Sequence, residues 1–543
     1  MLRSESKPPL AHYVQAVHAA MRAGDTRRAS ELAQQAIEQG HEDAHLLTLA
    51  AYRCLDGSHH ERALALAVRA CELAPHNIDA LNAAGRALEE LGRFAEAVPY
   101  FDRAVALAPQ DVDLLANAAA AMERARHLQR ACELLERAFR LDRRRADIAA
   151  RLAFIYSNRG DMKKGREFGA AALALDPNQA FASFAIAIAD IDEANYDDAC
   201  ARLRAVIAIP RIGRVVCALA QNILGDALDG LGRPEEAFAA YAQGGAELRD
   251  LYAPPPGADI ELALVRSRRI AAYVSRASAE SWTSQGGTHK SPVRTHAFLV
   301  SFPRSGTTLL THVLAAHPQI LSLDEPRTLA DSADLADSDA GLDRLAAMRE
   351  DELDVYRDAY WRRAAAAGFS GSQSVLVEKM PLYSEILCLI AKLFPDAKIL
   401  FALRDPRDVV FSCFRRRFAF TRQLYELATL EGAAAYYDAT MTLAEIYRRK
   451  ISLPILNIRH DDLVSDFDRQ NHAICEFLGV EGGVALDRYA ERARLSDIST
   501  PNAAQISRGI RRESLGQWRP YAEQMKPVLP LLAPWVEKFG YED

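Results

Sequence analysis

The chain has 543 residues, more than one hydrophobic core usually holds, and its 50% hydrophobic and 26% charged content is that of an ordinary soluble multidomain protein. A formal net charge of −7 gives no general attraction to nucleic acid, so any anion site has to be built locally. No run of about 18 apolar residues is present to span a membrane, no leader-like apolar stretch opens the chain, and the 8 cysteines lie far apart with no C-x-x-C pair; the expectation is a cytoplasmic protein with reduced thiols.

From residue 10 to 251 the sequence repeats every 34 residues. Pro75, Pro109 and Pro177 fall on one grid line, with His41 and Arg143 in its remaining slots. Ala29, Ala63, Ala97, Ala131, Gly165 and Ala199 mark a second line, and Ala36, Ala70, Ala104, Ala138 and Ala172 a third. Small residues let paired helices approach, a large residue fills the gap, and proline ends the second helix. Units are expected at 10–43, 44–77, 78–111, 112–145, 146–179 and 180–213, with a seventh at 218–251 anchored by Gly225, Ala237 and Tyr241. The clearest unit, with Gly85, Ala97, Phe101, Ala104 and Pro109, resembles a tetratricopeptide (TPR) repeat. That resemblance implies an all-α solenoid of about seven units with a concave groove for a protein or peptide partner. By the same template Asp79, Asn82, Glu89, Asp113, Glu123 and Asp147 face the groove, followed by Phe181, Phe184 and Ile188. The two phenylalanines are expected to pack rather than to bind.

Ala253-Pro254-Pro255-Pro256-Gly257 closes the array, since proline cannot continue a helix. Residues 252–294 then read as one helix, Asp259 to Ser275, and a flexible linker over 276–294 rich in Ser, Gly and Thr. A second domain is expected over 295–543.

That domain opens on a buried strand, His296 to Ser301, running into Phe302-Pro-Arg-Ser-Gly-Thr-Thr308 and a helix from Leu309 to Ala316. Strand, small-residue loop and helix aim backbone N–H groups and a helix N-terminus at a phosphate. The first glycine and the lysine of a nucleotide-triphosphatase loop are missing, and no strand end offers an evident magnesium ligand, which weighs against a kinase. A second apolar strand, Ala397 to Leu403, leads into Arg404-Asp-Pro-Arg-Asp-Val-Val-Phe-Ser412. Val375 to Glu378 and Pro454 to Arg459 supply further strands.

The loop and the Arg404–Ser412 element together resemble the 5′-phosphosulfate and 3′-phosphate motifs of sulfotransferases. The resemblance implies an α/β, P-loop-like fold with a mainly parallel sheet and a ligand across the carboxyl ends of its strands. It implies 3′-phosphoadenosine 5′-phosphosulfate as donor, held by Arg304, Ser305, Gly306, Thr307, Thr308, Arg404 and Ser412. Arg511-Arg-Glu-Ser-Leu-Gly-Gln-Trp resembles a further family segment, so Arg511 and Arg512 are expected to cap the 3′-phosphate; Arg508 competes with Arg511. The family's glycine after that basic pair is Glu513 here.

Sulfuryl transfer needs a base for the acceptor hydroxyl and positive charge on the transferring group. His317-Pro-Gln-Ile-Leu-Ser-Leu-Asp-Glu-Pro-Arg327 resembles the segment carrying the catalytic glutamate of tyrosylprotein sulfotransferases. Glu325 occupies the matching position and is the expected base, with Asp324 the alternative. Lys379, in Val-Glu-Lys-Met-Pro381, matches the family lysine that stabilises the sulfuryl group and leaving phosphate, a task shared with Arg304. Arg415, Arg416 and Arg417 form a basic cluster at a helix end, and His460 stands where related sequences often carry tyrosine. No metal-ligand cluster is visible.

Two functions of different class follow. One is an enzyme moving the sulfuryl group to a hydroxyl acceptor, whether a protein tyrosine, sugar, lipid or small molecule, with the array recruiting acceptor or partner. The other is a repeat scaffold whose attached domain binds the nucleotide without turning it over.

Overall fold

A computed structural model of the chain describes residues 8–541 apart from 126, 256, 259, 285–290, 417–421 and 482–514. Two compact units divide it, Met1–Ala189 and Asp190–Asp543.

The first unit is a succession of antiparallel helix pairs. First helices begin at Leu10, Ala44, Ile78, Val112 and Ala146, each partnered by a second helix, such as Phe94–Leu107 behind Ile78–Glu90. Asp25, Asp43, Asn77, Asp111 and Asp161 cap helix N-termini by accepting backbone N–H bonds. The alanines of both small-residue grid lines in this unit are fully buried. Gly85 shows why the grid is small: a methyl group there would lie 2.6 Å from the Phe101 ring. Phe184 is fully buried, as expected, while Phe181 stays 38% exposed and edges onto Phe154 at 5.3 Å. Three of the acidic residues expected to face the groove are charge-paired: Arg145 grips both Asp113 and Asp147, and Arg151 grips Glu123. Burial pushes the Glu89 carboxyl up to about 7.

The second unit begins with helices that continue the repeat pattern. In the pair Arg214–Gly230 and Pro234–Leu251, a methyl group at Gly225 would meet Tyr241 at 2.4 Å, the counterpart of Gly85 and Phe101. This last pair packs directly on the α/β body. Phe238 and Tyr241 lie 5.0 and 6.3 Å from Phe414, and Arg249 donates to Tyr425 Oη and Thr429 Oγ1. The helix after the prolines, Ala263–Arg276, starts later than its sequence pattern indicates. The stretch read as a linker contains Trp282, which is buried; its apolar area anchors what composition alone marks as loose.

Among the described residues the sheet holds five parallel strands: β1 Thr295–Val300, β2 Ile320–Asp324, β3 Val375–Lys379, β4 Lys398–Leu403 and β5 Ile455–Arg459. Their order is β2-β3-β1-β4-β5, and every pairing is parallel. β1 and β3 are buried along their whole length, as strands covered on both faces must be. β1, β3, β4 and β5 lie where their apolar runs put them. β2, within the segment that precedes Glu325, is a strand that the sequence pattern does not mark; it pairs with β3 at the edge of the sheet.

Candidate active site

Four strand ends converge. Leu299 of β1 is in register with Lys379 of β3, and Asp324 of β2 is too. Past the strands, Ser301 N donates to Pro381 O at 2.9 Å and Ser301 Oγ to Ala402 O at 2.6 Å. These bonds fix the loop 301–306 between the exits of β3 and β4.

The loop turns through two left-handed residues, Arg304 (φ 72°) and Gly306 (φ 91°), and Gly306 caps the helix Thr307–Ala315. Arg304 there is a non-glycine residue in a disfavoured region, which persists only where the surroundings over-determine it. Gly306 has a steric reason as well: a methyl group on it would lie 2.6 Å from His460 Nδ1. Ser305 and Thr307 are buried, and Thr308 is partly exposed.

Arg304 Nε donates to Ser412 Oγ at 3.1 Å, and Arg404 Nη1 donates to the Arg304 carbonyl at 3.3 Å. The two separated motifs thus meet as one cluster. Burial, then the guanidinium groups of Arg416, Arg404 and Arg415, lower the proton affinity of Arg304 well below that of a free arginine. A guanidinium in a protein does not give up its proton. The arrangement therefore carries a desolvation and repulsion cost that a bound anion relieves. His460 begins the helix at the end of β5 beside this cluster; burial and then the charge of Arg404 push its imidazole down to about 3, so it is neutral at ordinary pH.

Asp408 joins this cluster, although no motif singles it out. Its carboxylate faces Arg404 Nη2 at 3.4 Å and accepts the Gly516 and Trp518 N–H groups at 2.8 and 3.0 Å. Its place in the first turn of the helix Pro406–Arg415, close behind Arg404, was the available signal. Arg511, Arg512 and Arg508 lie outside the described residues, as does Arg417; the Asp408 bonds hold the segment that follows them. Arg415 is not in line with the loop: it pairs with Asp229 at 3.3 Å and bonds Gln517, while Tyr521 Oη donates to Asp229 at 2.6 Å.

On the other side of β1, Lys379 Nζ lies 2.5 Å from Asp324 Oδ1 and 2.7 Å from Glu325 Oε1, with the lysine side chain 1% exposed and the two carboxylates about a third exposed (32% and 30%). Lys379 therefore contacts both the expected base and its alternative. Glu325 is itself left-handed at φ 54°, and its N–H donates to the Lys379 carbonyl at 2.9 Å.

A buried cation beside two accessible carboxylates, next to a basic helix-N-terminal loop, can bind an anionic group and take a proton from a neighbouring hydroxyl. Among the described residues, no group of three or more His, Cys, Asp or Glu side chains is placed to hold a metal ion. No helix among them is long and apolar enough to cross a membrane.

Residues 297–482 match the sequence model of the Sulfotransferase family, and residues 78–111 that of the tetratricopeptide repeat. Protein-tyrosine sulfotransferase 2 of Gallus gallus is 26% identical over 265 residues, 45% of this chain and 69% of that protein. Nodulation protein NoeE of Sinorhizobium fredii is 34% identical over 136 residues, 22% of this chain and 32% of that protein. An uncharacterized protein of Aquifex aeolicus is 22% identical over 255 residues, 46% of this chain and 33% of that protein. The chain thus spans about a third of two of these relatives' lengths and about seven tenths of the other's.

Proposed function

Because residues 297–482 form a sulfotransferase-family region behind tetratricopeptide repeats, we propose that this chain transfers a sulfuryl group from 3′-phosphoadenosine 5′-phosphosulfate to a hydroxyl acceptor. One observation carries the reading: the Arg304–Ser412–Arg404 cluster and the Lys379–Glu325 pair lie at adjoining strand ends of one sheet. Two basic elements, the loop at Arg304 and the strand end at Arg404, are available for the two anionic ends of the donor. Loop residues 304–308 take the 5′-phosphosulfate, and Arg404 with Ser412 takes the 3′-phosphate.

Glu325 accepts the proton of the acceptor hydroxyl as its oxygen bonds to sulfur. The bond from sulfur to the 5′-phosphate oxygen breaks, and adenosine 3′,5′-bisphosphate leaves with that electron pair. Lys379 and Arg304 offset the charge that gathers on the bridging oxygen. Asp324, on the same ammonium, keeps Lys379 directed at the strand ends.

For the acceptor, the relatives named protein-tyrosine sulfotransferases and the preceding repeats favour a tyrosine in a protein or peptide, with the repeat groove recruiting it or a partner. The paired charges along the groove support a partner of mixed rather than uniformly basic character.

Nucleotide binding tests the donor assignment. Arg404→Ala should weaken adenosine 3′,5′-bisphosphate by about 1.5–3 kcal/mol, one charge-assisted contact, and far more than it weakens adenosine 5′-phosphosulfate by calorimetry. Equal weakening of both removes Arg404 from the 3′-phosphate. Tighter binding of ATP with magnesium than of the bisphosphate favours a kinase instead.

A further inference from the structure

Glu378 is completely buried and takes no part in the chemistry above. Neighbouring residues on a strand point to opposite faces, and the end of β3 uses both. Lys379 holds Asp324 and Glu325 on one side. On the other, Glu378 accepts the Thr328 hydroxyl at 2.6 and 2.5 Å through its two oxygens. Thr328 lies three residues beyond Glu325, so consecutive strand residues grip the same short segment at two points.

The segment between those grips needs holding. Glu325 and Arg327 both have left-handed backbone, φ 54° and 51°, and neither is glycine. Such residues persist only where the surroundings over-determine them. The Glu325 N–H bond to Lys379 O supplies one restraint, and the Thr328–Glu378 bond supplies the other. A third comes from Leu329 N, which donates to Tyr383 Oη at 3.3 Å.

Glu378 is in turn braced. Tyr360 Oη donates to it at 2.7 Å, and that same hydroxyl lies 2.6 Å from His296 Nε2. Phe298 and Phe394 close around the chain of bonds. A carboxyl in such a place costs folding energy unless its oxygens are hydrogen-bonded, and an apolar side chain would pack there at less cost. Burial pushes the Glu378 carboxyl up to about 7, the expected mark of that cost. What the carboxyl gains is its grip on Thr328.

We propose that Glu378 and Thr328 are positioning residues, a buried clamp that holds Glu325 against Lys379 from the face of the sheet opposite the crevice. The proposal rests on Glu325 acting as the base. Its distinguishing property is a hydroxyl requirement at 328: serine keeps the bond, whereas valine keeps the shape and loses it.

The test is hydrogen exchange across residues 320–330 of the full-length protein, with Thr328→Val, Thr328→Ser and Glu378→Gln. Loss of the clamp should speed exchange at the Glu325 amide by about tenfold or more in Thr328→Val, with Thr328→Ser close to wild type. Binding of adenosine 3′,5′-bisphosphate should stay within about twofold in all three, because the loop 301–306 and Arg404 are held by other bonds. With labelled donor and a tyrosine peptide or 4-nitrophenol as acceptor probe, kcat should fall about tenfold to a hundredfold in Thr328→Val while the acceptor KM holds, as for a misplaced base. Wild-type exchange in Thr328→Val overturns the proposal, even if Glu378→Gln unfolds. Should the wild type turn over no donor while the exchange pattern appears as stated, the base assignment fails and the clamp stands as a structural device.

Discussion

Glu378 and Lys379 are adjacent, both buried and both charged in their ordinary forms, yet only the lysine stood out in the sequence as a candidate. Lys379 matched a family pattern at a strand end; Glu378 read as one more member of an apolar strand. Its partners Thr328 and Tyr360 are 50 and 18 residues away, His296 joins through Tyr360 and not directly, and no local periodicity links them. Asp408 and His460 were hidden in the same way, since each acquires its meaning from a neighbour on another element. The Glu378 carboxyl also sets a pH dependence. Its folded pKa of about 7 lies above the ordinary 4.5. The native state therefore holds that proton longer than the unfolded chain, and stability falls as pH rises between the two values. The contribution is complete below pH 4.5 and lost as pH passes 7. All four tryptophans, Trp282, Trp361, Trp518 and Trp535, lie in the second unit, so their fluorescence reports on it. Comparing urea midpoints from pH 5 to 8, wild type should lose stability relative to Glu378→Gln as pH rises. Parallel curves would show that the carboxyl keeps an ordinary pKa.

At the level of elements, the repeat helices and four of the five strands followed from spacing alone. The alanines on the grid lines of the first unit are fully buried, and beside them Gly85 packs on Phe101 as Gly225 packs on Tyr241. Length and edge position do not explain why the pattern fails to mark β2, since β5 is also a five-residue edge strand; the β2 residues fall within the segment that carries Glu325. The loop between β1 and the next helix was legible as such a connection, and the structure adds a steric reason for Gly306. Its φ of 91° would cost alanine roughly 1–2 kcal/mol, and its methyl group would press on His460. Gly306→Ala should therefore weaken adenosine 3′,5′-bisphosphate at least about tenfold. Adding His460→Ala should recover part of that loss by removing the clash while the backbone strain remains. Identical affinities for the single and double variants would place His460 away from the loop.

For the whole molecule, the two units do not follow the change in sequence character. The final helix pair still shows the repeat pattern, yet it packs on the α/β body through Phe238, Tyr241 and Asp229. Asp229 anchors Arg415 and Tyr521, and so ties the last repeat to the helix of Ser412 and to the segment 515–521 beside Arg404. Spacing could show where repeats begin, but not that the last of them serves as a wall of the neighbouring domain, because that role lies in contacts about 180 to 290 residues apart. The remaining sites converge on one claim, that the strand-end cluster is a sulfuryl-transfer centre with Glu325 as its base. The most direct measurement supplies labelled 3′-phosphoadenosine 5′-phosphosulfate to wild type and Glu325→Ala, with tyrosine peptides, sugars and phenols as acceptors and nucleotide binding measured alongside. Label should pass to at least one hydroxyl acceptor with wild type and fall about a hundredfold or more with Glu325→Ala, both proteins binding adenosine 3′,5′-bisphosphate equally. Equal binding with no transfer by either protein to any acceptor would contradict the claim and leave a nucleotide-binding scaffold.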